Sequence, residues 1–460
     1  MPSRITTKLL QHFSTNALAI IEKIRQKTKI FGGMDMRSFL IVALIMVTAG
    51  AQAKSLSNTK PERVGMSSER LQRMSEMSQR YVDEGRVAGI VNIVARNGKV
   101  VHFQATGNKG IDDPRPLQKD DLFRIYSMTK PITATALMQL YEQGKFHLSD
   151  PVHKFVPELK DVQVLNEDGE LVPVERPMTM QQLLTHTTGM SYGFNPINDP
   201  IDKLYVDAKL WAAKDLDDFA AKLAELPLKF QPGAQWHYSI AVDVTGLVVQ
   251  RLSGQRFDEY LAEHIFAPLG MRDTFFAVPE AKAERFLPNH AMNPRTGKMF
   301  TIPNDNSDAM RDYFDVSLFS GGGGLVSTAM DYMRFAEAMR NGGELDGVRI
   351  LGAKTVDYMS TNHLNASISA GGNGETPGLD EALRGFGFGL GFGLVVDPAA
   401  GGVIGSVGEF NWGGAAGTVF WIDPVEEIVV VSMIQLMGSP WPLRSDLKVA
   451  TYQALIDSYQ

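Results

Sequence analysis

The chain has 460 residues, 44% of them hydrophobic, and a formal net charge of −7. Its length exceeds the usual size of one compact core and predicts two lobes or domains. With no basic excess and no long Lys/Arg run, nucleic acid is not an expected partner, and with no cysteine the chain can form neither a disulfide nor a thiolate metal site.

Residues 36–53 read as a secretory signal: Arg37, an apolar run over 39–47, then small residues ending at Ala51-Gln52-Ala53. The run is too short to span a bilayer comfortably, and no cysteine follows it to carry a lipid. Cleavage after Ala53 and a periplasmic or secreted protein without a stable membrane anchor are therefore expected. Residues 1–35 are expected to be a leader created by a start codon placed too early, or else an extended n-region.

The mature part opens with a helical pattern over 69–84. Two strands follow, over 87–95 and 99–105, with Asn97-Gly98 as the hairpin turn between them. A strand-like approach over 120–125 then leads to Ser127 and Lys130. The serine lies three residues before the lysine, ahead of the apolar-periodic Ala136, Leu137, Leu140 and Tyr141, so hydroxyl and amine share a helix face. A serine hydroxyl needs a base within hydrogen-bond reach to become a nucleophile. Lysine serves as that base only where its surroundings disfavour the ammonium form. Pro131 is tolerated only in a first turn, so the helix is expected to begin at or just before Ser127, with the Ser127 amide left to bind an oxyanion. The spacing alone does not separate catalysis from helix capping, since Ser57/Lys60 and Ser445/Lys448 repeat it in unpromising settings.

Further on, 179–186 predicts a short amphipathic helix, followed by Gly189-Met190-Ser191-Tyr192-Gly193. That spelling matches a hydrolase nucleophile elbow, which needs a strand before the serine and a helix after it. Here a helix precedes and turn residues follow, so a loop is the better reading. His186 and His237 are the tempting partners for Ser191; His186 is expected to pack or cap at its helix end. Helical patterns cover 210–226, 242–252 and 257–266. The final third carries a four-glycine run at 321–324, expected to be a tight turn rather than a phosphate loop because it lacks the lysine-serine/threonine ending. A helix over 329–339 follows. Residues 385–393 alternate glycine with Phe or Leu, as in a strand with close backbone approach on one face. A hairpin over 417–434 and a helix over 443–459 close the chain. The nine histidines form no metal-ligand pattern.

Strands at both ends with helices between predict an α/β lobe, about 60–125 and 290–460, with an all-helical lobe over about 126–289 inserted and a site in the cleft between them. Six stretches then carry a resemblance: Ser127-Met128-Thr129-Lys130, Leu183-Leu184-Thr185-His186-Thr187-Thr188-Gly189, Tyr238-Ser239, Phe266-Ala267-Pro268-Leu269-Gly270-Met271, Gly322-Gly323-Gly324-Leu325-Val326-Ser327-Thr328 and Trp412-Gly413-Gly414. In this order they resemble the serine β-lactamase and penicillin-binding protein superfamily, most closely its class C-like branch with the family VIII carboxylesterases. The likeness runs from about residue 63 to the C-terminus.

The resemblance implies a β-lactamase-like fold over residues 54–460: an antiparallel sheet flanked by helices, with a helical lobe inserted. It implies Ser127 as nucleophile, Lys130 as its proton acceptor, and Tyr238 as a relay hydrogen-bonded to both. The amides of Ser127 and Ala415 would form the oxyanion hole, and Tyr126, Ile240, Trp412, Gly413 and Gly414 would bind substrate. Two positions depart from the superfamily pattern. Trp412 stands where a lysine or histidine is usual, and Ile240 stands where an asparagine is usual. Losing a cation and an amide donor disfavours substrates with a carboxylate and favours neutral esters. An exported carboxylesterase is the reading that results, working on a small-molecule ester through an acyl-enzyme, with no metal and no cofactor. The alternatives are a β-lactamase or D,D-peptidase that takes its cation elsewhere, for instance from Arg384; an acyltransferase; and a non-catalytic cell-wall binding module.

Overall fold

The computed structural model describes residues 56–166, 168–303, 312–365, 368, 370 and 384–459. The leader and signal segment expected over 1–53 lie outside the described residues.

The fold is organised by a seven-stranded antiparallel sheet drawn from both ends of the chain. Its strands are β1 (Gly89–Arg96), β2 (Lys99–Gly107), β3 (Phe386–Phe388), β4 (Gly393–Val395), β5 (Phe410–Gly413), β6 (Val419–Asp423) and β7 (Ile428–Met433), in the order β3-β4-β5-β6-β7-β1-β2. The hairpin joining β1 to β2 turns at Asn97 (φ 53°) and Gly98 (φ 69°), the left-handed pair that a two-residue turn requires. All eight residues of β1 and all six of β7 are buried, because helices cover both faces of the sheet. Val91, Ile93, Val429 and Val431 face the main core with the helices Thr129–Glu142 and Ala329–Arg340. Ile90, Val94, Trp421 and Val430 face a second core closed by Ser68–Asp83 and Leu443–Tyr452.

Most of the middle third is helical, as the pattern predicted, with three differences elsewhere or in detail. The helix expected over 210–226 is broken into a short turn at Leu210–Ala212 and a helix at Leu216–Leu223, because Asp215 restarts it by accepting the Asp218 amide as an N-cap. The closing helix ends at Tyr452 rather than 459, since the Ile456 amide turns away to the Gly65 carbonyl at 2.9 Å. Residues 385–393 form not one strand but a hairpin, β3 and β4. Its turn glycine, Gly391 (φ 88°), lies so close to the helix Thr129–Glu142 that a side chain there would collide with Ala134 Cβ. Among the described residues no helix is long and apolar enough to cross a membrane.

Candidate active site

Two segments distant in sequence deliver the serine. The short strand Phe123–Arg124 pairs antiparallel with Val326–Ser327, and the Ile125 amide continues the ladder to the Leu325 carbonyl at 3.1 Å. The chain then kinks through Tyr126 at φ 43°, a left-handed conformation that costs a side-chain-bearing residue roughly 1–2 kcal/mol. Asn289 helps hold that kink by donating to the Tyr126 hydroxyl at 2.8 Å. Ser127 follows in a single 3₁₀ turn, Tyr126–Met128, and the α-helix Thr129–Glu142 begins behind it with Pro131 in its first turn. Helical backbone therefore opens just before Ser127, as the proline predicted, but as a 3₁₀ turn, and the α-helix proper starts two residues after the serine.

Lys130 sits 1% exposed beneath the half-buried Ser127. Its amine reaches three oxygens: Ser127 Oγ at 3.2 Å, the Tyr192 hydroxyl at 2.9 Å and the Gly322 carbonyl at 2.7 Å. The four-glycine segment is thus a tight turn with a second duty, since it carries an acceptor to the lysine. None of its glycines needs a left-handed φ. They are required by close approach: a Cβ on Gly322 would lie 2.6 Å from the Tyr192 hydroxyl and closer still to Asp243 Oδ2, and one on Gly324 would strike the Phe276 ring at 2.8 Å.

Tyr238 comes to the same place in a different posture from the one expected. Its ring lies over the lysine, 4.6 Å from Nζ to centroid, and its hydroxyl accepts a hydrogen bond from Trp412 Nε1 at 3.3 Å. The hydroxyl that bonds Lys130 is that of Tyr192 instead. Sequence reasoning singled out the loop 189–193 for Ser191 and passed over its neighbour. It also missed Asp243, 1% exposed in the first turn of the helix Ala241–Ser253. Asp243 accepts from Tyr192 at 3.2 Å, from the Gly322 amide at 3.0 Å and from Ser320 Oγ. A signal was present: one acid within the otherwise apolar Ile240-Ala241-Val242-Asp243-Val244 has to find partners when buried.

On the other side of Ser127, Gly414 packs against the Ile125 carbonyl group, 3.2 Å from its carbon to an added Cβ, which brings the end of β5 beside the turn that carries Ser127. Neither the Ser127 nor the Ala415 amide has a backbone or side-chain acceptor among the described residues, as donors reserved for an oxyanion would not. Trp412 is less of an open wall than expected. It is 6% exposed, edge-on to Phe388 at 5.2 Å and tilted on Tyr238 at 5.4 Å, in room left by Gly393. Ile240 is 1% exposed in the main core, so it offers a substrate no contact surface and acts only by bringing no polar group.

Ser191 does gather a histidine and an acid. His237 Nε2 lies 3.4 Å away and Asp202 accepts from its hydroxyl. The direction is wrong for a nucleophile, because the proton points to the carboxylate, and the serine is fully buried in a loop with no strand before it. Lys229 closes the cluster with ion pairs to Asp199 and to Asp202 at 3.1 Å. Burial holds His237 down at about 4, with the Lys229 charge acting the same way. His186 ends its helix in the left-handed region (φ 55°) and accepts the Ser239 amide at Nδ1, 3.3 Å. Burial first, and then the charge of Lys130, holds it well below its ordinary value. It packs on Tyr238, 4.8 Å between rings, and so supports that side chain from behind.

Known proteins resemble this one over most of its length. The family model described as Beta-lactamase matches residues 74–454. Esterase EstB of Burkholderia gladioli is 31% identical over 397 residues, covering 83% of this chain and 94% of that protein. Among solved structures, EstCE1, a hydrolase with promiscuous acyltransferase activity, superposes with a TM-score of 0.70 at 25% identity, covering 85% of this chain and 99% of its own. Simvastatin synthase (LovD) from Aspergillus terreus gives 0.71 at 25% identity, with 83% and 98% covered.

Proposed function

Because the chain belongs to the β-lactamase family, we propose that it is a serine hydrolase of the family VIII type, a carboxylesterase for neutral, short-chain esters. The observation that carries this reading is the placement of Lys130 Nζ 3.2 Å from Ser127 Oγ, with the unpartnered Ser127 and Ala415 amides close by. Ser127 attacks the ester carbonyl as its proton passes to Lys130, and the two amides take the oxyanion charge. The alkoxide leaves with a proton relayed from Lys130 through the Tyr238 hydroxyl, and water, deprotonated by the same groups, releases the acid from Ser127. Tyr238 must turn its hydroxyl from Trp412 toward the lysine for that relay, and catalytic hydrogen bonds commonly tighten only in the substrate complex.

Trp412 and Ile240 support the substrate class, since neither gives a carboxylate or an amide a partner. The relatives named as esterases or acyltransferases favour acyl chemistry of one of these two kinds. Acyl transfer is the second reading. Phe194, 55% exposed and stacked on Tyr238 at 6.2 Å, offers an apolar seat for an acceptor alcohol in place of water. Export through the signal at 36–53 belongs to the same proposal.

The test compares residues 54–460 with Ser127→Ala and Ser191→Ala on p-nitrophenyl acetate and on a chromogenic cephalosporin, with and without added alcohol. Ester turnover lost in Ser127→Ala and kept in Ser191→Ala is the expected result. Faster cephalosporin than ester turnover, or activity that survives Ser127→Ala, would reject the esterase assignment, and ester product formed mainly with added alcohol would replace it by the transferase.

A further inference from the structure

We propose that Asp243 is a positioning residue that sets the direction of the Tyr192–Lys130 hydrogen bond and, with the Gly322 carbonyl, leaves the lysine's lone pair only one place to point, at Ser127. This rests on the esterase reading above. Neutral lysine has two N–H donors and one lone pair. The Gly322 carbonyl, 2.7 Å away, can only accept, which uses one N–H. The Tyr192 hydroxyl, 2.9 Å away, is able to accept or donate, and its own proton decides which. Asp243 Oδ2 takes that proton at 3.2 Å, so Tyr192 must accept from Lys130, using the second N–H. The lone pair is then left facing Ser127 Oγ at 3.2 Å, where the serine proton has to go. Without the carboxylate, Tyr192 is free to donate into the lone pair and compete with the serine.

The second carboxylate oxygen makes the arrangement rigid. Asp243 Oδ1 accepts from the Gly322 amide at 3.0 Å and from Ser320 Oγ. One side chain therefore orients Tyr192 and anchors the glycine whose carbonyl also holds Lys130. The absence of a side chain on Gly322 is what admits the acid and the phenol so close together.

The geometry makes the effect of Asp243→Asn unusually specific. The Gly322 amide is a donor, so the asparagine oxygen must occupy the Oδ1 position. Its NH₂ then sits at the Oδ2 position and donates to Tyr192, which turns the phenol proton toward Lys130. The expected result is a drop in kcat of about 10²-fold, the scale of a general base put out of action, with KM changed less than about threefold. Tyr192→Phe removes the competing hydroxyl altogether and should lose only about tenfold. The double variant Tyr192→Phe/Asp243→Asn should then be at least about tenfold faster than Asp243→Asn alone. A purely structural role for Asp243 predicts the opposite order, with the double variant as slow as the single one or slower. That order, or an Asp243→Asn variant within threefold of wild type, overturns the proposal.

Each variant is assayed with p-nitrophenyl acetate and by the rate at which a fluorophosphonate labels Ser127, which reads hydroxyl activation whatever the ester preference. Absent ester turnover in wild type sinks the esterase reading, while the labelling order still judges Asp243. If Asp243→Asn does not fold, Tyr192→Phe decides alone: a loss beyond about 10³-fold would make Tyr192 a proton carrier and not an oriented acceptor.

Discussion

Replacing Gly322 by alanine puts a methyl group where the hydrogen bonds of Lys130, Tyr192 and Asp243 converge. Its Cβ would stand 2.6 Å from the Tyr192 hydroxyl and 2.8 Å from Asp243 Cγ, against 3.4 Å for an ordinary contact. The difference, 3.4 − 2.6, requires a shift of at least about 0.8 Å at the half-buried phenol, and the buried Asp243 carboxylate, closer still, must move further. Neither neighbour gives way easily, because Asp243 is bonded to Ser320 and Tyr192 is stacked on Trp211 at 6.2 Å. Overpacking of this kind costs ~1–3 kcal/mol, which in a chain this long lowers Tm by only about 1 °C per kcal/mol, because the unfolding entropy grows with length. A displacement near 1 Å at a reacting pair costs about 10²-fold in rate. Gly323→Ala is the control. A Cβ there meets nothing nearer than the Tyr126 backbone at 3.6 Å, and its φ is not left-handed. The assay is kcat on p-nitrophenyl acetate beside a thermal melt of both variants. Gly322→Ala within threefold of wild type, or Gly323→Ala equally impaired, would refute the claim that crowding at the lysine is what demands a glycine.

Trp412→Phe removes the donor that holds the Tyr238 hydroxyl and should lower kcat about three- to tenfold with little change in KM; an unchanged kcat would show that the indole bond does not orient Tyr238. His237 has a pH consequence for stability. Its folded value is about 4 against an ordinary 6.5, so between those limits the unfolded chain binds the extra proton and stability falls as pH falls, by about 3 kcal/mol in total. Urea melts from pH 7 to pH 4 should show that slope, and His237→Gln should flatten it; an equally steep curve in the variant would assign the loss to other groups.

What the linear chain settled was whatever rests on local chemistry and period. Asn97-Gly98 can take two left-handed φ values, so the hairpin was legible. Pro131 can sit only in a first turn, so the start of the helix behind Ser127 was legible too. The serine and lysine face each other because three residues of helix put them on one side, a relation that needs no tertiary contact. The β-lactamase-like fold followed from six motifs in a fixed order, and the family match bears it out.

The tertiary structure decided everything that depends on which groups meet across the chain. Tyr192 lies 62 residues from Lys130 and the Gly322 carbonyl 192, and no spacing rule connects them. The same is true of Ile240, sealed in the core, and of Trp412, turned inward onto Tyr238. Whether a hydroxyl donates or accepts is fixed by its neighbours, and those neighbours are chosen by packing. The two candidate serines, Ser127 and Ser191, differ in just this respect: one faces a lysine, the other gives its proton to a buried carboxylate.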